Sequence, residues 1–209
     1  RGELVETVDT ESVTEKDISV LMVGSGYIGD LSKSKAKPGE NLLCVQNLKY
    51  VDSEKQTRVN GVSFSVRAGE IVGIAGVEGN GQNELIEMIT GLSVPTEGQI
   101  EMMGKSIAGR GIGELRNLGM AYIPSDRMAL GVASTMSIEE NLITTKIKKK
   151  LLYNKFKLMD LTKINRLSAK LVEEYRIKCS SAQTLVEMLS GGNIQKVVVA
   201  REFTQENTR

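Results

Sequence analysis

The sequence predicts an α/β fold, and three observations predict it. First, the apolar run Ile71-Val72-Gly73-Ile74-Ala75 leads into the closely spaced Gly76, Gly79 and Gly81, and a helical pattern begins near Asn83. Strand, glycine loop, helix is the layout of a phosphate-binding loop. Second, strand-like segments lie on both sides of that loop. Third, residues 134–190 are mainly helical in period, and Leu189-Ser190-Gly191-Gly192-Asn193 opens a last helix. Strands and helices mixed around one such loop argue for a layered core, with 134–190 as a helical subdomain.

In chain order, residues 1–24 are acidic and Thr-rich, and residues 25–40 are rich in Gly, Ser and Lys with Pro38, a linker composition. The domain is expected to start near Asn41. Leu43, Val45 and Leu48 predict a first strand, Leu42 to Tyr50, and Asp52 to Thr57 is polar and turn-like. Val62, Phe64 and Val66 alternate with Ser63 and Ser65, a half-buried strand. Ile71 to Ala75 reads as a short buried strand. Leu85, Ile86, Met88 and Ile89 line a helix that Gly91 can end. Gly98 to Met103 reads as a strand, and Met120-Ala121-Tyr122-Ile123 as a buried strand after a helix end. Ser137-Ile138-Glu139-Glu140 is a capping box opening a short helix to Leu142. Lys146 to Lys157, with Leu151, Leu152, Tyr153 and Phe156 interleaved, reads as a solvated helix face with apolar anchors. Ile164, Leu167, Leu171, Val172 and Tyr175 recur at helical spacing. Ile194, Val197, Val198 and Arg201 carry the final helix to about Phe203. Met102, Met103, Met120 and Met128 are expected to fill gaps in the core.

The 209 residues suffice for one sizeable domain and an appendage. Apolar content of 40% and charged content of 25% are ordinary for a soluble globular chain. A net charge of +1 gives no overall basic field for nucleic acid. No stretch of about 20 apolar residues suits a membrane span. Cys44 and Cys179 lack metal-ligand spacing and read as reduced thiols. Histidine is absent, so His-based acid–base chemistry is excluded within these residues.

The two glycine segments carry the candidate chemistry. A helix opened by glycines presents unpaired N–H groups and a positive dipole end, which together bind anions, phosphate above all. Ser190, Gly191 and Gly192 form one such start. Gly76, Glu78, Gly79, Asn80, Gly81, Gln82 and Asn83 form the other. A P-loop needs Lys and Ser/Thr after its last glycine, for phosphate charge and for magnesium. Gln82 and Asn83 stand there instead. A charged hydrogen bond is worth roughly 1.5–3 kcal/mol against ~0.5–1.5 for a neutral one. The loop is therefore expected to hold triphosphate at least about tenfold more weakly, and to hydrolyse it poorly because transition-state charge goes uncompensated.

Leu189 to Lys196 resembles the signature motif of the ATP-binding-cassette (ABC) ATPases, and residues 41–209 resemble a cassette of that family segment by segment. The resemblance implies a P-loop NTPase core with an antiparallel β subdomain and a helical subdomain, truncated before Walker B. Tyr50 takes the place of the adenine-stacking aromatic. Residues 122–127 match the glutamine loop, with Ser125, Asp126 and Arg127 in coupling positions and Ser125 where a Gln or Glu is usual. Gly79-Asn80-Gly81-Gln82 and Leu-Ser-Gly-Gly-Asn look like the second, degenerate cassette of tandem-cassette importers for simple sugars or nucleosides. Residues 1–24 resemble the tail of a preceding cassette, 25–40 a linker, 41–133 the ABC core, 134–190 the helical subdomain and 191–209 the signature helix returning to the core.

What this implies is an ATP-binding subunit on the cytoplasmic face of the cell membrane. Its cofactors would be ATP and Mg2+, both weak or absent in this stretch of chain. Its partners would be the first cassette of the same polypeptide or a second copy, transmembrane permease subunits and, indirectly, a substrate-binding protein, with no nucleic acid. Ser190, Gly191 and Gly192 would cap the γ-phosphate held by the facing cassette. The family continues past Arg209 into the Walker B strand, a dimer-contact loop and a switch histidine, so a fragment with no complete catalytic set and no metal site of its own is expected, with a marginal or oligomeric fold. Two other classes remain open: a soluble, non-transport ABC-type ATPase, and a structural half-cassette that binds no nucleotide.

Overall fold

The computed structural model describes residues 4–23, 36–147 and 149–204. The tail and linker expectations over 24–35, Lys148 in the lysine-rich stretch and the end of the last segment, 205–209, lie outside the described residues. The chain divides into two compact units, Arg1–Pro38 and Gly39–Arg209. The first contains helix α1, Glu15–Val23. Thr14 and Asp17 cap it reciprocally: Asp17 Oδ2 accepts from Thr14 N at 2.9 Å, and Asp17 N donates to Thr14 Oγ1 at 3.3 Å.

The second unit begins with an antiparallel sheet in the order β2-β1-β3-β4. Its strands are β1 (Asn41–Val51), β2 (Thr57–Arg67), β3 (Glu97–Met102) and β4 (Lys105–Ser106). Val45 pairs with Phe64 on one side and Ile100 on the other, so alternate residues of all three strands reach one apolar face. Asp52 shapes the β1–β2 turn. Its Oδ1 accepts from the N–H groups of Glu54 and Gln56 at 2.9 Å each, and its Oδ2 accepts from Arg58 Nε at 2.7 Å. Helix α2 (Gln82–Thr90) lays Leu85, Met88 and Ile89 on this face, and α3 (Ile112–Asn117) adds Leu115. Gly91 ends α2 in the left-handed region, φ 76°, as the sequence predicts.

A separate apolar cluster holds the helical half. Here α4 (Ile138–Ile143), α5 (Leu161–Glu174) and α6 (Gly191–Phe203) converge on Ile138, Leu142, Leu171, Val186, Ile194 and Val197. The Ser137–Glu140 capping box forms as expected. Asn141 is fully buried; its Oδ1 accepts from Ala133 N at 2.9 Å, and its Nδ2 donates to the carbonyls of Ala133 and Ser137. This fixes the chain entering α4 and leaves no polar atom of Asn141 unpaired.

Four expectations need correction. Ile71–Ala75 and Met120–Ile123 are not strands; both are irregular, and Ile71 and Ile74 are 88% and 50% exposed. A buried strand requires ladder partners for its N–H and C=O groups, and neither segment has one among the described residues. Lys146–Lys157 is not one helix but two short 3-10 turns, at Thr144–Lys146 and Lys150–Leu152, and Lys146 is buried rather than solvated. Met128 is exposed, whereas Met102, Met103 and Met120 pack on the sheet cluster.

Ile100 on β3 is, with Leu48, fully enclosed at 0% exposure in the sheet cluster. Ile100→Ala is expected to lower the unfolding free energy by about 2–5 kcal/mol, read as a reduced midpoint in urea at unchanged slope.

Candidate phosphate-binding site

The loop at Gly76–Gln82 is exposed on its outer side and encloses a cavity of about 430 Å³ with Arg58, Asn60, Ile74 and Leu85. Gly81 sits at φ 89° against the Arg58 carbonyl, where any Cβ would collide, so the approach of the loop to β2 requires glycine. Gln82 folds back across the loop. Its Nε2 donates to the Val77 carbonyl at 2.9 Å and lies over Gly76, where a side chain would meet it. The loop thus presents a neutral amide, and no lysine, beside that cavity. Glu78, Gly79 and Asn80 make the exposed rim. Tyr50 is half-buried at the end of β1, pairs with Val59 and packs on the sheet cluster, apart from the lining of this cavity.

Asn83 and Glu87 on α2 share a second cavity, about 490 Å³, with Tyr122, Ser125 and Asp126. The candidate coupling loop therefore faces the helix of the glycine loop, although the two are some forty residues apart in sequence. Asp126 is committed to the backbone: its Oδ1 accepts from Met128 N and Ala129 N at 2.9 Å each, capping a single π turn at Arg127–Gly131. Burial and the nearby Glu87 carboxylate push the Tyr122 phenol upward.

The second glycine start lies at the other end of the chain. Ser190 is extended, with φ −66° and ψ 151°, and α6 begins at Gly191. The Ser190 carbonyl accepts from the N–H groups of Asn193 and Ile194 at 2.8 and 3.0 Å, and Ser190 Oγ accepts from Asn193 Nδ2 at 2.9 Å. The N–H groups of Gly191 and Gly192 have no partner among the described residues, and Ser190 and Gly192 are exposed. The guanidinium of Arg127 lies against Gly191, with Nη2 2.5 Å from where a Cβ would stand. Two N–H groups unpaired among the described residues, a hydroxyl, a helix dipole and a neighbouring guanidinium are groups of the kind that bind anions.

Sequence reasoning missed the charged cluster at the far end of α6. Glu202 is fully buried, and its carboxylate accepts from Arg116 Nη1 and Nη2 at 2.9 and 3.1 Å, from Arg201 Nε at 2.9 Å and from Tyr122 N at 3.2 Å. Lys146, 4% exposed, donates to the Arg201 carbonyl at 3.4 Å and to Thr204 Oγ1 at 3.0 Å. The signal available was an Arg-Glu pair directly after the apolar Val197-Val198-Val199-Ala200; its partners Arg116 and Lys146 carry no mark in the sequence. Among the described residues no group of acidic, Cys or His side chains is arranged to hold a metal, and no helix is long and apolar enough to cross a membrane.

A family model described as ABC transporter matches residues 59–208. The nucleoside import ATP-binding protein NupA of Lactococcus lactis is 34% identical over 203 residues, which cover 97% of this chain and 40% of that protein. The guanosine import ATP-binding protein NupO of Bacillus subtilis is likewise 34% identical over 203 residues, with the same shares covered. A nucleotide-free ATP-binding cassette from an ABC transporter superposes with a TM-score of 0.63 at 23% identity, over 80% of this chain and 66% of that one, which shows the fold. The chain spans about 40% of the length of the curated relatives it matches.

Burial and the nearby Lys149 hold the Lys146 ammonium at about 8, below its ordinary 10.5. Between those values the unfolded chain binds more protons than the folded one, so raising the pH favours folding there. The stability of the wild type relative to Lys146→Met is therefore expected to rise from pH 8 to 10.5 and to stay level between pH 6 and 7. Parallel urea melts of the two proteins check this.

Proposed function

The chain belongs to the ABC transporter family, and on that premise we propose that it is part of the second, degenerate nucleotide-binding domain of a tandem-cassette importer ATPase. In this reading residues 41–133 are the core, 134–190 the helical subdomain and 191–209 the signature helix, with 1–24 closing a preceding cassette and 25–40 linking the two. The protein sits at the cytoplasmic membrane face with permease subunits and takes up a nucleoside or simple sugar, as the names of its relatives suggest.

The observation that carries the reading is the contrast between the two glycine sites. In the Gly76 loop the Gln82 amide bonds back to Val77, while the Ser190–Gly192 mouth is exposed and polar. A loop that serves itself suits the weaker of two composite sites. An open mouth suits capture of a terminal phosphoryl presented by another cassette. ATP there would supply the group to be transferred. Ser190 Oγ and the Gly191 and Gly192 N–H groups would bind and orient its oxygens, stabilising charge as it develops.

In the assembled transporter, Ser190→Trp is expected to cut ATPase turnover about a hundredfold or more, whereas Gln82→Ala should leave it within about twofold. Steady-state phosphate release measures both. Equal losses would refute the division of labour, and activity that survives without a permease would favour a non-transport ATPase.

A further inference from the structure

Segment 122–131 runs the length of α6 and touches it at three levels. At the C-terminal foot, Tyr122 N donates to Glu202 Oε2 at 3.2 Å. Near the middle, Gly131 is buried against Val198, with a Cγ2 methyl 3.2 Å from where a Cβ would stand. At the N-terminal mouth, the Arg127 guanidinium lies on Gly191. A helix of 13 residues is roughly 20 Å long at 1.5 Å per residue, so the segment is a strap that is bonded at one end of a rigid rod and packs against the other.

The fastening at the foot is the stronger. Glu202 accepts both Nη atoms of Arg116, a forked pairing that fixes direction as well as distance. Arg201 Nε adds a further hydrogen bond to the carboxylate. Arg116 belongs to α3, which packs with the sheet cluster, so the foot of α6 is registered against the glycine-loop half of the fold. The contact at the mouth is exposed and looser: the Arg127 guanidinium lies against Gly191, with no side-chain hydrogen bond or ion pair among the described residues.

We propose that Glu202 is a positioning residue for the Ser190–Gly192 mouth: by holding Tyr122 and Arg116 to the foot of α6, it makes the 122–127 loop and the mouth move as one body. A shift of Ser125 and Asp126 over α2 then displaces Gly191 and Gly192, with α6 as the lever and the Arg127 side chain as a second, packing contact. The mechanical part stands on the geometry alone; its effect on turnover rests on the function proposed above.

Two measurements test it. In the 209-residue chain, Glu202→Gln is expected to raise amide hydrogen exchange about tenfold at Tyr122 and, at the far end, at Asn193 and Ile194, while Val45 and Ile100 in the sheet stay unchanged. A general loss of structure would raise all of them. Faster exchange at Tyr122 with none at Asn193 and Ile194 overturns the proposal. In the assembled transporter, Glu202→Gln and Arg127→Gln should each lower kcat about tenfold with KM for ATP unchanged. Values within about twofold of wild type, where Ser190→Trp abolishes turnover, overturn it too. If Ser190→Trp leaves turnover intact, the proposed function fails and the exchange result alone decides the strap. Should Glu202→Gln not fold, the surface variant Arg127→Gln carries both measurements: faster exchange at Met128 and Ala129 together with Asn193 and Ile194 is the supporting result, and faster exchange at one pair alone the opposing one.

Discussion

A carboxylate with no access to solvent organises the second unit. Taking Glu202 out of water costs several kcal/mol, and only close opposite charge and full hydrogen bonding offset it. Arg116, Arg201 and the Tyr122 N–H supply both. Such a cluster adds little net stability over apolar packing, but removing one partner from a buried pair costs about 3–5 kcal/mol. Its value is directional. The sheet cluster and the helical cluster are each apolar and could slide; the forked Arg116–Glu202 pair admits one register between α3 and α6. The chain between them, from Leu118 to Leu189, is then closed at both ends, and Asn141 and the Ser137 capping box fix its first helix from within.

Much of the architecture was legible because it is local. The alternation of Val62, Phe64 and Val66 belongs to β2, Gly91 ends α2, and Ser137–Glu140 opens α4, each by a rule acting over a few residues. Met120–Ile123 and Ile71–Ala75 have the apolar content of buried strands, but a ladder is a property of two segments, and nothing in one segment's composition supplies the second. Lys146 deceived for a related reason. Its neighbours are lysines, and its burial is set by the Arg201 carbonyl and Thr204, more than fifty residues away. The glycine loop was legible as a departure from a phosphate-binding pattern. That Gln82 would fold back onto Val77, rather than reach outward, follows only from the loop's tightness in three dimensions.

The two glycine-opened helices illustrate how the same residue type serves opposite ends. At Gly81 the missing side chain lets backbone press against backbone at Arg58, and the result is a closed, self-bonded turn. At Gly192 nothing lies within reach of a Cβ, and the missing side chain leaves room outside the fold. Flanking polar groups settle the difference. Gln82 has a carbonyl to serve, whereas the Gly191 and Gly192 N–H groups at the dipole end of α6 have no acceptor among the described residues.

The inward amide of Gln82 also bears on how the loop responds to the solution around it. A group tethered beside its acceptor acts at a constant effective concentration, whatever the surrounding medium contains. An ordinary nucleotide cradle is stabilised by mass action and slackens when its ligand runs short. With that amide tethered in place, the turn that opens α2 is held by the chain's own bond from Gln82 to Val77, present whether or not a ligand is at hand.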